Sequence, residues 1–223
     1  MPLSRILEVE VMDTAAEAAD YNAMDHSAVN TLFAQDLEVA GALSGREVSI
    51  LDLGTGTALI PIELCRRTIH CRVLAVDLAA HMLELARKNV AAAGLADRIE
   101  LEQIDAKALP FADGRFDVVM SNSIIHHIPE PMHSLQETVR VTKSGGLMFF
   151  RDLLRPDDEA TLAGLAQTYA GSENAHSRQM FDDSLHAALS LDEIRGLVMQ
   201  LGFPADSVQP TSDRHWTFVG RPS

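Results

Sequence analysis

One stretch of this chain constrains its fold more than any other: Ile50-Leu51-Asp52-Leu53-Gly54-Thr55-Gly56-Thr57-Ala58. Residues typical of a strand lead directly into two glycines one residue apart. An apolar helix pattern follows, and Thr57 is its predicted N-cap. Glycines let the backbone pass close to a ligand, and the free N–H groups of a helix N-terminus can bind it. The stretch therefore predicts a strand, a ligand-binding turn and a helix, in that order.

Strand and helix patterns alternate along the rest of the chain. The predicted strands are 48–53, 72–76, 98–104, 116–120, 147–150, 208–212 and 215–219. The predicted helices are 25–39, 79–93, 132–141, 157–170, 179–189 and 191–201. Such alternation favours a parallel sheet with helices on both faces. No linker or repeat interrupts the pattern, so a single domain over 1–223 is predicted.

The charge and composition of the chain exclude several classes of function. A net charge of −14, from 18 basic and 32 acidic residues, disfavours nucleic acid as a partner, because polyanion binding needs Lys and Arg. No apolar run approaches the roughly 20 residues of a membrane span. The first twelve residues mix charges with apolar residues, unlike a signal peptide. Two cysteines form neither a disulfide framework nor a zinc knuckle pattern, so a cytoplasmic location is predicted.

Acidic residues stand at three predicted strand ends. Asp52 lies two positions before Gly54, Asp77 ends the second strand, and Asp105 follows the third. The carboxyl ends of parallel strands share one edge of the sheet, where such folds bind ligands. A ring of carboxylates suits a cationic ligand better than a pyrophosphate, and Asp52 is placed to face an ammonium group. The dinucleotide fingerprint is also absent, because Leu59 occupies its third glycine position.

Five ordered blocks of the sequence carry a resemblance to a known family. They are 50–57, 73–83, 103–111, 116–131 and 141–154. In these blocks the chain resembles the class I S-adenosylmethionine-dependent methyltransferases, and within them the group that methylates small molecules. It departs from the family at Ala58, where a third glycine is usual. The resemblance implies an α/β, Rossmann-like doubly wound sheet, mostly parallel with a C-terminal antiparallel strand. It also implies S-adenosylmethionine as cofactor and S-adenosylhomocysteine as product.

The resemblance implies a cofactor site built from strand ends and the loops after them. Its members, besides Asp52, are Gly54, Thr55, Gly56, Asp77, Leu78, Asp105, Ala106 and Asn122. The glycine turn approaches the methionine part of the cofactor, and Asn122 lines its amino-acid end. Asp77 holds the ribose, and Asp105 reaches the adenine edge.

Two adjacent histidines are the candidates for acid–base chemistry. Methyl transfer from a sulfonium is an in-line displacement that mainly needs positioning. A base is required only if the acceptor arrives protonated. Because neighbours in an extended loop face different ways, only one of His126 and His127 is expected to act, and His127 is preferred. No metal site is predicted, since the nine histidines show no ligand spacing.

The sequence defines the methyl donor better than the acceptor. Residues 1–40 and 153–190 are predicted to cap the cleft, and Asp152 and His215 are further candidates on the acceptor side. A small organic acceptor is the preferred prediction. The alternatives are a tRNA-base or protein methyltransferase, a non-catalytic S-adenosylmethionine-binding protein and, as the least favoured, a dehydrogenase. The oligomeric state stays open.

Overall fold

A computed structural model describes residues 3–11, 13–43 and 45–223. Its strands are β1 (Val48–Leu53), β2 (Cys71–Asp77), β3 (Ile99–Gln103), β4 (Phe116–Asn122), β5 (Thr142–Leu153), β6 (Val208–Pro210) and β7 (His215–Gly220). They form one sheet in the order β3-β2-β1-β4-β5-β7-β6. β1 pairs in parallel with β2 and β4, β2 pairs in parallel with β3, and β6 pairs antiparallel with β7. The predicted α/β fold class is confirmed.

The helices lie between these strands and near both ends of the chain. They are α1 (Ala15–Ala23), α2 (Ser27–Val39), α3 (Leu59–Arg67), α4 (Ala80–Ala93), α5 (Met132–Val141), α6 (Glu159–Ala170), α7 (Ala175–Ala187) and α8 (Leu191–Gln200). Short 3₁₀ turns occupy Ile125–His127 and Ala205–Ser207. Over the described ranges, none of the helices combines the length and apolarity needed to cross a bilayer.

Two elements begin several residues earlier than predicted. α7 begins at Ala175 rather than 179, because the Asn174 side chain accepts a hydrogen bond from Ser177 N–H and caps the helix. β5 begins at Thr142 rather than 147 and runs through Gly146. A Cβ at Gly146 would lie 2.9 Å from the carbonyl oxygen of Asp117 in β4. This glycine therefore permits close approach of the backbone within the sheet, not only a turn before the strand.

The chain comprises two compact units. One consists of Val11–Asn122, Met132–Phe150 and Val219–Ser223, and the other of Met1–Glu10, Ser123–Pro131 and Arg151–Phe218. In the first unit, all residues of β1 except Ser49 are buried, including Asp52, and Phe33 of α2 packs edge-on against Phe149. Strands buried on both faces read as nearly continuous apolar runs, which explains the sequence pattern at 48–53. This core fixes the end of β1, from which the glycine turn departs.

Candidate functional site

The glycine turn after β1 has the left-handed backbone that its residues predict. Gly54 and Gly56 have φ of 68° and 56°, a region that side chains disfavour. Ala58 is also left-handed, with φ of 61°, so the site where glycine is usual carries backbone strain here. Ala58, not Thr57, is the N-cap of α3, and it forms no side-chain hydrogen bond. The prediction of Thr57 as cap is wrong, because the left-handed residue separates Thr57 from the helix.

Three buried oxygens near this turn have no hydrogen-bond partner among the described residues. They are Thr55 Oγ1, Thr57 Oγ1 and Asn122 Oδ1. All three residues line one pocket, whose other lining residues are Tyr21, His26, Asn30, Asp52, Gly54, Leu59 and Ile60. An unsatisfied buried polar atom costs about 1–3 kcal/mol. Two hydroxyls that can donate and an amide oxygen that can accept suit the carboxylate and ammonium groups of an amino acid.

Asp52 supplies the negative charge of this pocket. Only 3% of the residue is exposed, and burial raises its pKa to about 7. The nearby Thr55 side chain lowers the Asp52 pKa, and the charge of Asp77 raises it further. Near neutral pH the carboxyl group is therefore divided between its neutral and charged forms, and a cationic ligand group would favour the charged form.

Tyr21 of α1 also lines the pocket. A Cβ at Gly56 would lie 3.6 Å from Tyr21 Cε1, so the ring lies over the turn. Burial and the negative charges of Asp77 and Asp52 raise the Tyr21 pKa to about 12. The centroids of the Tyr21 and His26 rings are 4.5 Å apart. A phenol in this position remains neutral and can donate a hydrogen bond at physiological pH.

Asp77 joins the end of β2 to the glycine turn. Its Oδ2 accepts a hydrogen bond of 2.7 Å from Gly56 N–H, and its Oδ1 accepts one of 2.9 Å from Ala79 N–H. A carboxylate offers about four lone-pair sites, so both oxygens keep capacity for ribose hydroxyls. Asp77 therefore has a structural role in addition to the predicted ligand role.

The residues predicted for the adenine end lie on the loops after β2 and β3. Asp105 Oδ1 accepts a hydrogen bond of 2.9 Å from Lys107 N–H and lies 3.0 Å from Lys107 Nζ. Leu78 is 37% exposed, and Ala106 is buried. Leu78, Asp105 and Ala106 are not among the residues that line the pocket, whereas Asp52, Gly54, Thr55 and Asn122 are. Gly56 lies between the lining residues Thr55 and Thr57, and its N–H donates a hydrogen bond to Asp77.

The other compact unit contains the two candidate histidines in the 3₁₀ turn. His126 Nδ1 lies 2.6 Å from Asp152 Oδ1, and Asp152 Oδ2 accepts from Ile125 N–H at 2.6 Å. Burial alone would lower the His126 pKa, but the charge and hydrogen bond of Asp152 raise it overall. Burial would likewise raise the Asp152 pKa, but His126 and two backbone N–H groups lower it. This buried pair fixes the orientation of the His126 ring.

His127 has a different partner and is less buried. Its side chain is 18% exposed, and Nδ1 lies 2.9 Å from Oε1 of Glu8. Burial opposes ionisation of Glu8, but His127, His126 and Ser184 hold its pKa below the usual value. Sequence reasoning missed Glu8, since no pattern connects residue 8 with residue 127. It also missed His26 and Asn30 in the pocket, although Asn30 is a polar residue within the otherwise apolar α2 pattern.

Comparison with known proteins finds methyltransferases that are similar to part of this chain. Residues 51–150 match the family described as "Methyltransferase domain". The release factor glutamine methyltransferase of Chlorobaculum tepidum is 42% identical over 108 residues, which are 47% of this chain and 36% of that protein. The demethylmenaquinone methyltransferase of Desulfitobacterium hafniense is 32% identical over 123 residues, covering 55% of this chain and 47% of that protein. The chain thus spans less than half the length of these curated relatives.

The solved structures extend the likeness over nearly the whole fold. A SAM-dependent methyltransferase from Aquifex aeolicus superposes with a TM-score of 0.67. The superposition covers 92% of this chain and 97% of that one, at 17% sequence identity. At this identity the likeness shows the fold alone.

Proposed function

Because residues 51–150 match a methyltransferase domain, we propose that the chain is a class I S-adenosylmethionine-dependent methyltransferase that moves a methyl group to a small organic acceptor. The observation that carries the proposal is the pocket around the glycine turn, where Asp52 and three unsatisfied oxygens face one cavity. The acceptor class rests on the relatives that act on quinones and other small molecules.

The pocket residues fit the amino-acid end of S-adenosylmethionine. Asp52 and Asn122 Oδ1 would accept hydrogen bonds from its ammonium group, and the Thr55 and Thr57 hydroxyls would donate to its carboxylate. Asp77 would hold the ribose, while Leu78, Asp105 and Ala106 would bind the adenine. When bound, the cofactor supplies a methyl group on a positively charged sulfur. The protein then has to orient the acceptor and exclude water.

Cofactor affinity is expected to depend on pH through Asp52. The ammonium group binds the ionised carboxylate, whose pKa in the free protein is raised to about 7 by burial. Affinity should therefore rise with pH and level off above neutrality. With one titrating group, binding should be about threefold weaker near pH 6.5 than near pH 7.5, and roughly twentyfold weaker near pH 5.5. Isothermal titration calorimetry across this range measures the effect.

Asp52→Asn is the matched control for this pH dependence. It keeps the size of the side chain but removes its charge, so binding should be weaker and nearly independent of pH. The raised pKa of Asp52 also costs stability as pH rises from its unfolded value through 7. The Asn variant without ligand should therefore be more stable than the parent above neutrality. A wild-type pH profile identical to that of the variant would contradict the role of Asp52.

His127 remains the proposed base for an acceptor that arrives protonated. Its partial exposure gives it more access to a substrate than His126, whose side chain is only 4% exposed. Glu8 beside Nδ1 would favour a proton on that nitrogen and leave Nε2 to accept one. We also propose, from the sequence, that residues 1–40 and 153–190 cap the acceptor; Tyr21, His26 and Asn30 of the first segment line the pocket.

Two alternatives follow from specific observations. The similarity to a release factor glutamine methyltransferase favours a protein acceptor, whereas the net charge of −14 disfavours RNA. A protein that holds the cofactor without turnover would have the same pocket. Incubation with S-adenosylmethionine and panels of small phenols, thiols, amines, quinols and peptides, read by release of S-adenosylhomocysteine, separates these cases.

The expected result is acceptor-dependent release with a small molecule, and markedly less release with Asp77→Ala at the same subsaturating cofactor concentration. Release with peptides alone would replace the small-molecule proposal with the protein one. Tight cofactor binding without release for any class would indicate a binding protein. Preference for NAD over S-adenosylmethionine in calorimetry would overturn the cofactor assignment. Mass spectrometry of ligands that co-purify with the chain would narrow the acceptor panel.

A further inference from the structure

Three potential metal ligands converge in the unit that contains the histidine turn. Glu8 Oε1 lies 2.9 Å from His127 Nδ1 and 3.6 Å from His126 Nε2. One donor atom from each of the three residues lies within 4.8 Å of the other two. In a tetrahedral zinc site with bonds of about 2.0–2.1 Å, ligand atoms are roughly 3.3 Å apart. The two Glu8 distances lie on either side of that value, so small side-chain adjustments would produce coordination geometry.

The His126 ring is already oriented for a metal. Its Nδ1 faces Asp152 at 2.6 Å, which leaves Nε2 on the side of Glu8. Metal-binding histidines characteristically give their other ring N–H to a carboxylate, which fixes the tautomer and raises the basicity of the ligating nitrogen. Asp152 occupies that outer position here, and its own orientation is fixed by Ile125 N–H.

His127 and Glu8 lie close together, but the distance alone does not give His127 Nδ1 a hydrogen bond. His127 Nδ1 is buried and has no aligned hydrogen bond, although the Glu8 oxygen is 2.9 Å away. A cation between them would satisfy both lone pairs, which a single shared proton does not.

The charges around the cluster also favour a cation. Two carboxylates face the two imidazoles: Glu8 contacts both rings, and Asp152 contacts His126. The nearby guanidinium of Arg5 is used by backbone carbonyls: it donates to Ala187, Pro129, His126 and Ile128. Arg5 is thus bound to the backbone around the turn, and the carboxylates of Glu8 and Asp152 supply the negative charge that would attract a metal.

We propose that Glu8, His126 and His127 form a binding site for one divalent transition-metal ion, with Zn²⁺ as the preferred ion. Asp152 would hydrogen-bond to His126 without contacting the metal. Two imidazoles and one carboxylate are the donor set of zinc sites with an open fourth position, whereas Mg²⁺ and Ca²⁺ prefer oxygen donors alone. The spacing along the sequence conceals the site, because Glu8 is far from the histidines and a 3₁₀ turn brings adjacent imidazoles together, with ring centroids 4.1 Å apart.

Metal binding and base catalysis by His127 would exclude each other. A metal on Nδ1 places the ring proton on Nε2, which then cannot accept one from a substrate. Turnover assays should therefore use protein freed of metal by a chelator. The metal proposal itself does not rest on catalysis, since its readout is binding.

Zn²⁺ binding to the untagged, chelator-treated full chain tests the proposal. Isothermal titration calorimetry should give one ion per chain, and Co²⁺ should give the absorption bands of a four-coordinate site. Glu8→Gln and His127→Ala should each weaken Zn²⁺ binding at least tenfold. His133→Ala and Glu130→Gln change exposed residues close to the turn and should leave the affinity unchanged. Asp152→Asn should weaken binding by about 10–100-fold.

The outcomes separate this site from adventitious binding. Equal affinities for the cluster variants and the controls would place the ion elsewhere and overturn the proposal, as would the absence of a one-to-one complex in the wild type. Circular dichroism confirms that each variant is folded. Should His127→Ala fail to fold, Glu8→Gln decides, because it keeps the shape of the side chain and removes only the charge.

Discussion

Asp77→Ala is expected to bind S-adenosylmethionine at least tenfold more weakly than the parent chain, a loss of about 1.4 kcal/mol or more. Two physical losses add together. The predicted hydrogen bonds to the ribose hydroxyls disappear, and Gly56 N–H loses the 2.7 Å bond that fixes the turn beside the cofactor pocket. Isothermal titration calorimetry with S-adenosylmethionine and with S-adenosylhomocysteine measures the change, and both ligands should be affected because both carry the ribose.

Asp77→Asn separates the two contributions. Its amide oxygen can still accept from Gly56 N–H, so the turn should persist while the charge toward the ribose is lost, and affinity should fall between parent and Ala variant. Asp97→Ala replaces an exposed aspartate of the same unit and should bind like the parent. Unchanged affinity in Asp77→Ala would remove the ribose assignment, whatever the effect on stability.

His126→Ala and His127→Ala are expected to damage different properties of the protein. His126→Ala leaves Asp152 as a buried charge without its imidazole partner, so the free energy of unfolding should fall by about 3–5 kcal/mol. His127→Ala should leave stability nearly unchanged but lower kcat by about 100-fold for an acceptor that must lose a proton. Its cofactor affinity should stay within about twofold of the parent. Denaturant unfolding and turnover, measured on the same preparations, compare the two variants.

The pH dependence of stability gives a second test of the buried pair. The Asp152 pKa is lowered, so its contribution is present above the unfolded value of 3.8 and is lost as pH falls through the folded value. The His126 pKa is raised, so its contribution is present below the unfolded value of 6.5 and is lost as pH rises through the folded value. The pair should therefore stabilise most between these limits, and His126→Ala should flatten the profile there. Loss of turnover in His126→Ala with no loss of stability would contradict this division of roles.

Local patterns explain why much of the fold could be predicted. Residues 48–53 form a buried parallel strand that reads as a continuous apolar run, and α5 has the predicted bounds because its apolar period is undisturbed. Asp52 and Asp77 lie next to the glycine turn, as expected from their positions near the ends of β1 and β2. These features depend on neighbours in sequence and on the common edge of a parallel sheet.

The features that prediction missed depend on contacts between distant residues. Glu8 meets His127 only through the tertiary fold, which no period or spacing in the chain encodes. Thr57 resembles a helix cap by residue type, but the left-handed conformation at Ala58 decides where α3 begins. The preference for His127 comes from the sequence and stays a prediction; what the sequence does not show is the contact with Asp152 that fixes the His126 ring in the interior.

The position of Tyr21 has a consequence for the kinetics of the proposed reaction. Each cycle must discharge spent cofactor and admit a fresh molecule, yet the Tyr21 ring lies over Gly56 and lines the pocket. α1, which carries this ring, has a capping box at its start and a link near its end, where Asn89 Nδ2 donates to Asn22 Oδ1 and to Thr57 O. Loosening these few hydrogen bonds would shorten the residence time of S-adenosylhomocysteine. We therefore expect product inhibition of the proposed reaction to be governed at α1, by contacts that take no part in the chemical step.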